Sequence, residues 1–393
     1  MNIRKNDEKI FTRDFFLVFG ALLFSALVMY ALMSTTAEYA TSLGSSATVA
    51  GLVSGMYIFG GLCSRIYSGN ALERIGWKKT AMIFMSIHFL SCLLYFVVDD
   101  VFLLLVVRFV HGIGFGATAN AIVTIASDVL PKSRFGEAFG YFMMGTTIAV
   151  GLGPYIGGFL YDYYGSNGCF LAASIFSALA LIFIYFVDVI KSDPANHRHP
   201  IESEEKYSGI EKVFEIGAIP VSFFTALTSL GYVSILSFYR LYAAEINLTQ
   251  AFSWFFLIYS IVLILTRPLA GKIQDNHGDR IICVTGIIAQ SIGLFLIAFI
   301  PSYLTVFICA VCMALGFGTL NSACTTIVTR DTPENRRSYA VSTFYIFCDA
   351  TMGFGPALLG SFVSASAGYA PVYFISSIIT FLALPVCLLS LKK

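Results

Sequence analysis

Residues 65–76 read RIYSGNALERIG and residues 267–278 read RPLAGKIQDNHG. Each stretch is an arginine, a glycine four places on, an acid four places after that, and a second glycine three further along; the two begin 202 positions apart. The same offset continues outward. Gly114, Phe115 and Gly116 fall on Gly316, Phe317 and Gly318; Pro131 falls on Pro333, Arg134 on Arg336 and Phe142 on Phe344. Gly151, Gly153, Pro154 and Gly158 fall on Gly353, Gly355, Pro356 and Gly360, and Tyr30 falls on Tyr232. One half of the chain is therefore written twice.

What the halves are made of follows from composition. The chain has 393 residues, 57% hydrophobic and 12% charged. A soluble domain carries about a quarter charged residues, so lipid is the expected solvent. Crossing about 30 Å of hydrocarbon takes about 20 apolar residues. Twelve stretches qualify: 15–37, 48–68, 80–98, 101–127, 135–161, 169–187, 217–239, 251–272, 281–300, 303–328, 339–361 and 370–391. They lack the alternation of barrel strands, so they are expected to be helices. The expected architecture is an all-α polytopic membrane protein: two pseudo-symmetric six-helix bundles, 1–187 and 217–393, joined by a polar linker at 188–216. Parallel repeats of this kind place the substrate site near the midplane between them.

Basic residues set the orientation. With a cytoplasmic N-terminus, almost every Lys and Arg outside the spans falls inside and at most Arg240 falls outside, the positive-inside pattern. Both termini are then cytoplasmic in a cell membrane, and the first span is read as retained rather than as a cleaved signal. A net charge of +1 offers nothing to nucleic acid. The nine cysteines lie almost wholly within apolar spans and read as small packing residues, with no disulfide framework, zinc-ligand set or cofactor motif evident. Cys309 and Cys312 have CxxC spacing, but a redox role inside an apolar helix is not expected. No GxxxxGK[ST] loop is present, and no cluster of acids and histidines at one depth marks an enzyme. A small-molecule substrate, protons and the bilayer are the expected partners of a protein working as a monomer.

GNALERIGWKK (69–79) resembles the loop between helices two and three of the major facilitator superfamily, and GKIQDNHGDR (271–280) is its second copy. LVVRFVHGIGFGA (105–117) resembles that family's fourth-helix motif, and AVGLGPYIGGF (149–159) its fifth-helix antiporter motif. The resemblance implies the twelve-helix major facilitator fold, alternating access, and most closely the drug:proton antiporter branch, which exports small organic compounds. Two departures are Glu73 in place of the usual Asp and a first helix without proline. Proton-coupled transport of a polar metabolite, such as a sugar, an amino-acid derivative or a metal-chelating small molecule, is the alternative, and lipid flipping is another use of the same fold.

The resemblance makes the repeated segment a conformational latch. Arg65, Gly69, Glu73, Arg74 and Gly76, with Arg267, Gly271, Asp275 and Gly278, would clasp the cytoplasmic side, Glu73 against the start of the eleventh helix and Asp275 against that of the fifth. A carboxylate at a helix N-terminus gains about 0.3 to 1 kcal/mol. The competing reading is a tight turn whose basic residues obey the topology rule. Gly153, Pro154, Gly157, Gly158, Gly353, Gly355, Pro356 and Gly360 read as a helix-packing seam between the halves.

Charges inside spans are costly and usually face a cavity. Arg108 and His111 share a face of the fourth helix with Phe115 and Thr118. Their counterparts are Ala310 and Met313, so the polarity belongs to the first half alone. They are candidates for proton coupling, against plain hydrogen bonding to neighbours. Glu38 ends the first span and its counterpart Arg240 ends the seventh. Either they pair across the cavity, or Glu38 holds a proton or a cationic solute, with Tyr30 and Ser34 deeper on the same face; the bland reading is two solvated charges. Asp349, four residues before Gly353, is a proton-carrier candidate or a bonded neutral acid. Phe115, Asn120 and Tyr232 complete the expected cavity lining. His88 reads as a lone polar contact.

Overall fold

The computed structural model describes residues 9–131, 135–188, 214–333, 336–364 and 366–391; the side chains at 34, 66–74, 135–137, 252–253, 268, 275 and 337–338 lie outside the description. The described residues are almost wholly helical: α1 (Arg13–Ser42), α2 (Ala47–Ile75), α3 (Trp77–Leu94), α4 (Val101–Val129), α5 (Phe135–Phe186), α6 (Ile219–Glu245), α7 (Thr249–His277), α8 (Asp279–Phe299), α9 (Tyr303–Met313), α10 (Thr319–Arg330), α11 (Arg337–Gly360) and α12 (Ala370–Ser390). A π-helical turn at Ala314–Gly318, with Gly316 at ψ −108°, joins α9 and α10.

Ten helical stretches among the described residues are long and apolar enough to cross a membrane. This is an all-α polytopic membrane protein. Two departures from the expected spans account for the difference from twelve. The fifth and sixth run as one element of 52 residues, interrupted in its backbone angles at Gly165 (φ 65°). The sequence YDYYGSNG there reads as a turn, yet the helix resumes at once. The eleventh, with Asp349 in its middle, is a helix but not among the ten. Large apolar side chains face outward along the spans, Phe102 at 74%, Leu304 at 68% and Leu265 at 66% exposure. In water such surface would be a liability; in hydrocarbon it costs nothing.

The turns obey the repeat. Gly76 (φ 91°) ends α2 and Gly278 (φ 87°) ends α7, each in the left-handed region that L side chains avoid. Asp100 caps α4 by accepting from the Leu103 amide at 3.0 Å. Its counterpart Ser302 caps α9 by accepting from the Thr305 amide at 3.2 Å, within a capping box.

The chain divides into two units. The first comprises the described residues of Met1–Thr35 and Met56–His199, the second those of Thr36–Gly55 and Pro200–Lys393. In the first, α3 packs on α4 and α5, and a core gathers Leu22, Ala81, Met85, Ile122, Ile125 and Phe142. In the second, α12 packs on α6 and α8 and α11 packs on α6. Its core gathers Phe224, Cys283, Ile287, Cys324, Ile327 and Phe344, which are the same six positions one repeat later. The end of α1 and the start of α2 thus belong, by their contacts, with the second unit. The linker expected at 188–216 lies mostly outside the described residues. Its last residues are anchored: Arg336 Nε donates to Glu215 at 2.8 Å and Nη2 to the Phe214 carbonyl at 2.9 Å.

Candidate functional site

Arg108 is fully buried on α4, in the first unit. Its guanidinium lies 4.5 Å above the centre of the Tyr57 ring, donates towards the Tyr95 hydroxyl at 3.5 Å and rests on the Met33 sulfur at 3.7 Å. An always-charged group in an apolar span must be enclosed by polar or π-rich partners, and a tyrosine face supplies about 0.5 to 2 kcal/mol. One turn on, His111 Nδ1 shares a 2.9 Å hydrogen bond with Tyr95. Its Nε2 lies 3.4 Å from His88 Nδ1 and 3.5 Å from Cys92 Sγ.

His88 therefore does not stand alone. The expectation of a lone polar contact fails because α3 and α4 approach closely at Gly114, where a β-carbon would lie 2.6 Å from the His88 amide nitrogen. The same approach gathers three potential metal-ligand atoms, of His88, Cys92 and His111, within 4.8 Å of one another. No such ligand set was evident in the sequence, because its members are spread over two helices. Phe115, half-buried, stacks near Tyr57 at 5.3 Å and His88 at 6.0 Å. Thr118 is buried and Asn120 half-buried further along α4.

The second unit holds the counterpart positions with other chemistry. Gln290 stands where the first half has His88 and donates to the Thr228 carbonyl at 2.8 Å. Tyr232 is buried beneath Phe317, ring on ring at 4.2 Å. Glu38 and Arg240 form an ion pair through Oε2 and Nε, with Arg240 at 8% and Glu38 at 25% side-chain exposure. The pair is largely buried rather than solvated. Asp349 is half-buried on α11 next to buried Cys348. A groove of about 670 Å³ between α6 and α11 is lined by Phe223, Leu230, Phe347, Phe354 and Leu358 and carries no ionisable group.

The seam glycines divide. Gly353, Pro356 and Gly360 meet α2 at Gly55, Gly51 and Ala47, where a β-carbon would strike backbone carbonyls. Those contacts join segments from the two sequence halves within one unit. Gly355 instead faces Leu230 and Val233 of α6. Gly153 and Gly157 pack on Tyr30 and Ala31 of α1, inside their own half. Pro154 and Gly158 are buried on the same helix. Of the latch residues, Gly76 and Gly278 make the turns described above, Gly271 has open space around it and Arg267 is exposed. Arg65 is half-buried. The side chains of Gly69, Glu73, Arg74 and Asp275, and that of Ser34, lie outside the described residues. An ion pair absent from the sequence reading stands beside the second turn: Arg330 donates to Asp279 at 2.7 Å, and Gln274 donates to the same carboxylate at 2.8 Å.

The sequence model of the Major Facilitator Superfamily matches residues 18–249 and again 221–393. The chain belongs to the Major Facilitator Superfamily. As a Major Facilitator protein it is a multi-pass membrane transporter and not an enzyme. It is 25% identical over 347 residues to an uncharacterized MFS-type transporter of Methanocaldococcus jannaschii, covering 87% of this chain and 89% of that protein. It is 25% identical over 292 residues to the multidrug resistance protein MdtG of Yersinia enterocolitica, covering 72% and 68%. Over 289 residues it is 25% identical to the multi-drug resistance efflux pump PmrA of Streptococcus pneumoniae, covering 72% and 70%. Among solved structures, the nucleoside transporter NupG superposes with a TM-score of 0.74 at 14% identity over 98% of this chain and 100% of that one. A POT family transporter with a bound thioalcohol-conjugated peptide gives 0.73 at 14% over 96% and 95%. These two likenesses speak for the Major Facilitator fold.

Proposed function

We propose that the chain is a proton-coupled secondary transporter that moves a small polar organic solute across the cytoplasmic membrane by alternating access. In this reading twelve crossings form two six-helix bundles, with α5 crossing twice about Gly165 and α11 adding one more. A 52-residue helix spans about 78 Å at 1.5 Å per residue, more than twice the hydrocarbon thickness. The basic-residue pattern supports cytoplasmic termini, and each half completes the other, so the monomer is the working unit.

The observation that carries the reading is the Glu38 and Arg240 pair, at symmetry-equivalent positions 202 residues apart. Separating a largely buried pair leaves two charges to rehydrate, and a zwitterionic or charged metabolite exchanges for that contact by offering its own carboxylate or ammonium. Asn120 and Asp349 add polar contacts suited to the same class. Arg108 with His111, or Asp349, carries the proton.

Export of a drug-like compound against protons is a second reading. It is favoured by the AVGLGPYIGGF segment and by the efflux and multidrug-resistance names of relatives about 25% identical. The discriminating experiment reconstitutes the protein in proteoliposomes with an imposed pH gradient. Nucleosides, sugars, amino-acid derivatives, cationic dyes and labelled lipid are offered, comparing wild type with Glu38→Gln, Asp349→Asn and Arg108→Ala. A polar solute accumulating with the proton flow, and loss of that accumulation in Glu38→Gln, is the expected result. Dye movement opposed to protons would replace it with the export reading. Movement of lipid alone, or of nothing tested in a well-folded protein, would remove the polar-solute reading.

A further inference from the structure

His88 and Cys92 are four residues apart on α3, hence on one face a turn apart, and His111 meets them from α4. All three are fully buried. Bonds of about 2.0 to 2.3 Å from one metal ion to imidazole nitrogen and thiolate sulfur leave neighbouring donor atoms roughly 3.3 to 3.7 Å apart in tetrahedral geometry. The His111 Nε2 separations, 3.4 Å to His88 Nδ1 and 3.5 Å to Cys92 Sγ, fall in that range without any movement. The bond from Tyr95 to His111 Nδ1 fixes the ring so that Nε2 is the face presented, the outer-shell arrangement that metal-ligating histidines use.

We infer that His88, Cys92 and His111 form a binding site for one soft monovalent metal ion, Cu(I) or Ag(I), clipped between α3 and α4. The ligand softness selects this class, since thiolate and imidazole together suit Cu(I). Charge selects it further. Arg108, buried beside the Tyr95 that orients His111, already places one positive charge in an apolar span. A divalent ion on one thiolate and two neutral imidazoles would add a second, whereas a monovalent ion on the same ligands adds none. Binding is a proton exchange without electron transfer: the Cys92 S–H bond breaks, the metal–sulfur bond forms, and the proton leaves to solvent. The second unit lacks the set, with Gln290, Leu294 and Met313 at the counterpart positions. Of its residues only His111 is shared with a proton-carrier candidate of the proposed transport, and the test reads metal binding rather than transport.

The test uses the purified full-length protein in detergent under reducing conditions. It is titrated with Cu(I) against a chromogenic Cu(I) chelator, and the Ag(I)-loaded protein is measured by X-ray absorption. The expected result is one tight ion whose shell holds one sulfur and two nitrogens, with affinity lowered roughly 100-fold or more in Cys92→Ser and His88→Leu and unchanged in Cys309→Ser. A shell of sulfur alone would overturn the inference, because Cys283 with Cys324 and Cys387 in the second unit is a rival thiol cluster. Unchanged affinity in both variants would overturn it equally. Zn(II) bound more tightly in the same mixed shell would overturn the monovalent assignment. Should both variants fail to fold, the shell around the ion in wild type decides between the two clusters.

Discussion

Tyr57 shows how one side chain can be needed for its ring and not for its hydroxyl. Its hydroxyl is buried without a partner, while its ring carries the Arg108 guanidinium and meets His111 and Phe115. Tyr57→Phe is expected to change stability by less than about 0.5 kcal/mol or to raise it, because it removes only an unsatisfied group. Tyr57→Leu is expected to cost about 2 to 4 kcal/mol, from the lost cation–π contact and the cavity together. Thermal unfolding in detergent reads both, and equal losses would show that the hydroxyl has a role. The sequence marked Arg108 and His111 because a charge in an apolar span stands out. It hid His88, Cys92 and Tyr95, since a histidine, a cysteine and a tyrosine are ordinary in such spans until α3 is laid on α4. Asp279 and Arg330 were hidden for a related reason: 51 residues apart, each looked like one more charge at a membrane boundary.

At the scale of helices, small residues set how closely the elements approach. A β-carbon on Gly112 would strike the Tyr57 carbonyl, and one on Gly116 would strike Gly61. Gly112→Ala should therefore force α2 from α4 at a cost of about 1 to 3 kcal/mol. Gly140→Ala, in the open on α5, should gain up to about 1 kcal/mol from helix propensity. Gly76→Ala and Gly278→Ala should each lose about 1 to 2 kcal/mol, since their positive φ strains any β-carbon. Equal melting temperatures across these variants would refute the packing account. The helices themselves were legible from hydropathy, and their repeat from the glycine spacing. The join at Gly165 was not: eight turn-like residues in sequence do not reveal that only one φ leaves the helical range. Nor was the π turn at Ala314–Gly318, since the first half writes the same Gly-Phe-Gly as regular α-helix.

At the scale of the whole molecule, two ion pairs tie distant segments together. Arg336, at 5% side-chain exposure, holds Glu215 and stacks over Tyr339 at 4.5 Å, so the start of α11 grips the chain leading into α6. Arg336→Ala leaves a part-buried carboxylate unpaired and should lower stability by about 3 kcal/mol, against less than about 1 kcal/mol for the exposed Arg13, whose bond to Asp188 is at the surface. Glu38 and Arg240 offer a charge-swap test. Glu38→Arg or Arg240→Glu alone should abolish transport, and the double reversal should restore a measurable part of it. Recovery no better than either single change would show that the residues act separately. The repeat register put Glu38 and Arg240 at equivalent positions and left their pairing as one of three readings; it did not show that residues 36–55 group with the second unit.

That allegiance of residues 36–55 bears on how the protein is made. A ribosome makes Glu38 202 residues before Arg240, so Glu38 and the glycine face of α2 wait for partners still unsynthesised. Until α6 and then α11 are inserted, an unpaired acid and an uncovered glycine face sit on an otherwise finished hairpin, a surface that the insertion machinery or another polypeptide must shield. Assembly is thus closed from the back: helices made later complete the first hairpin.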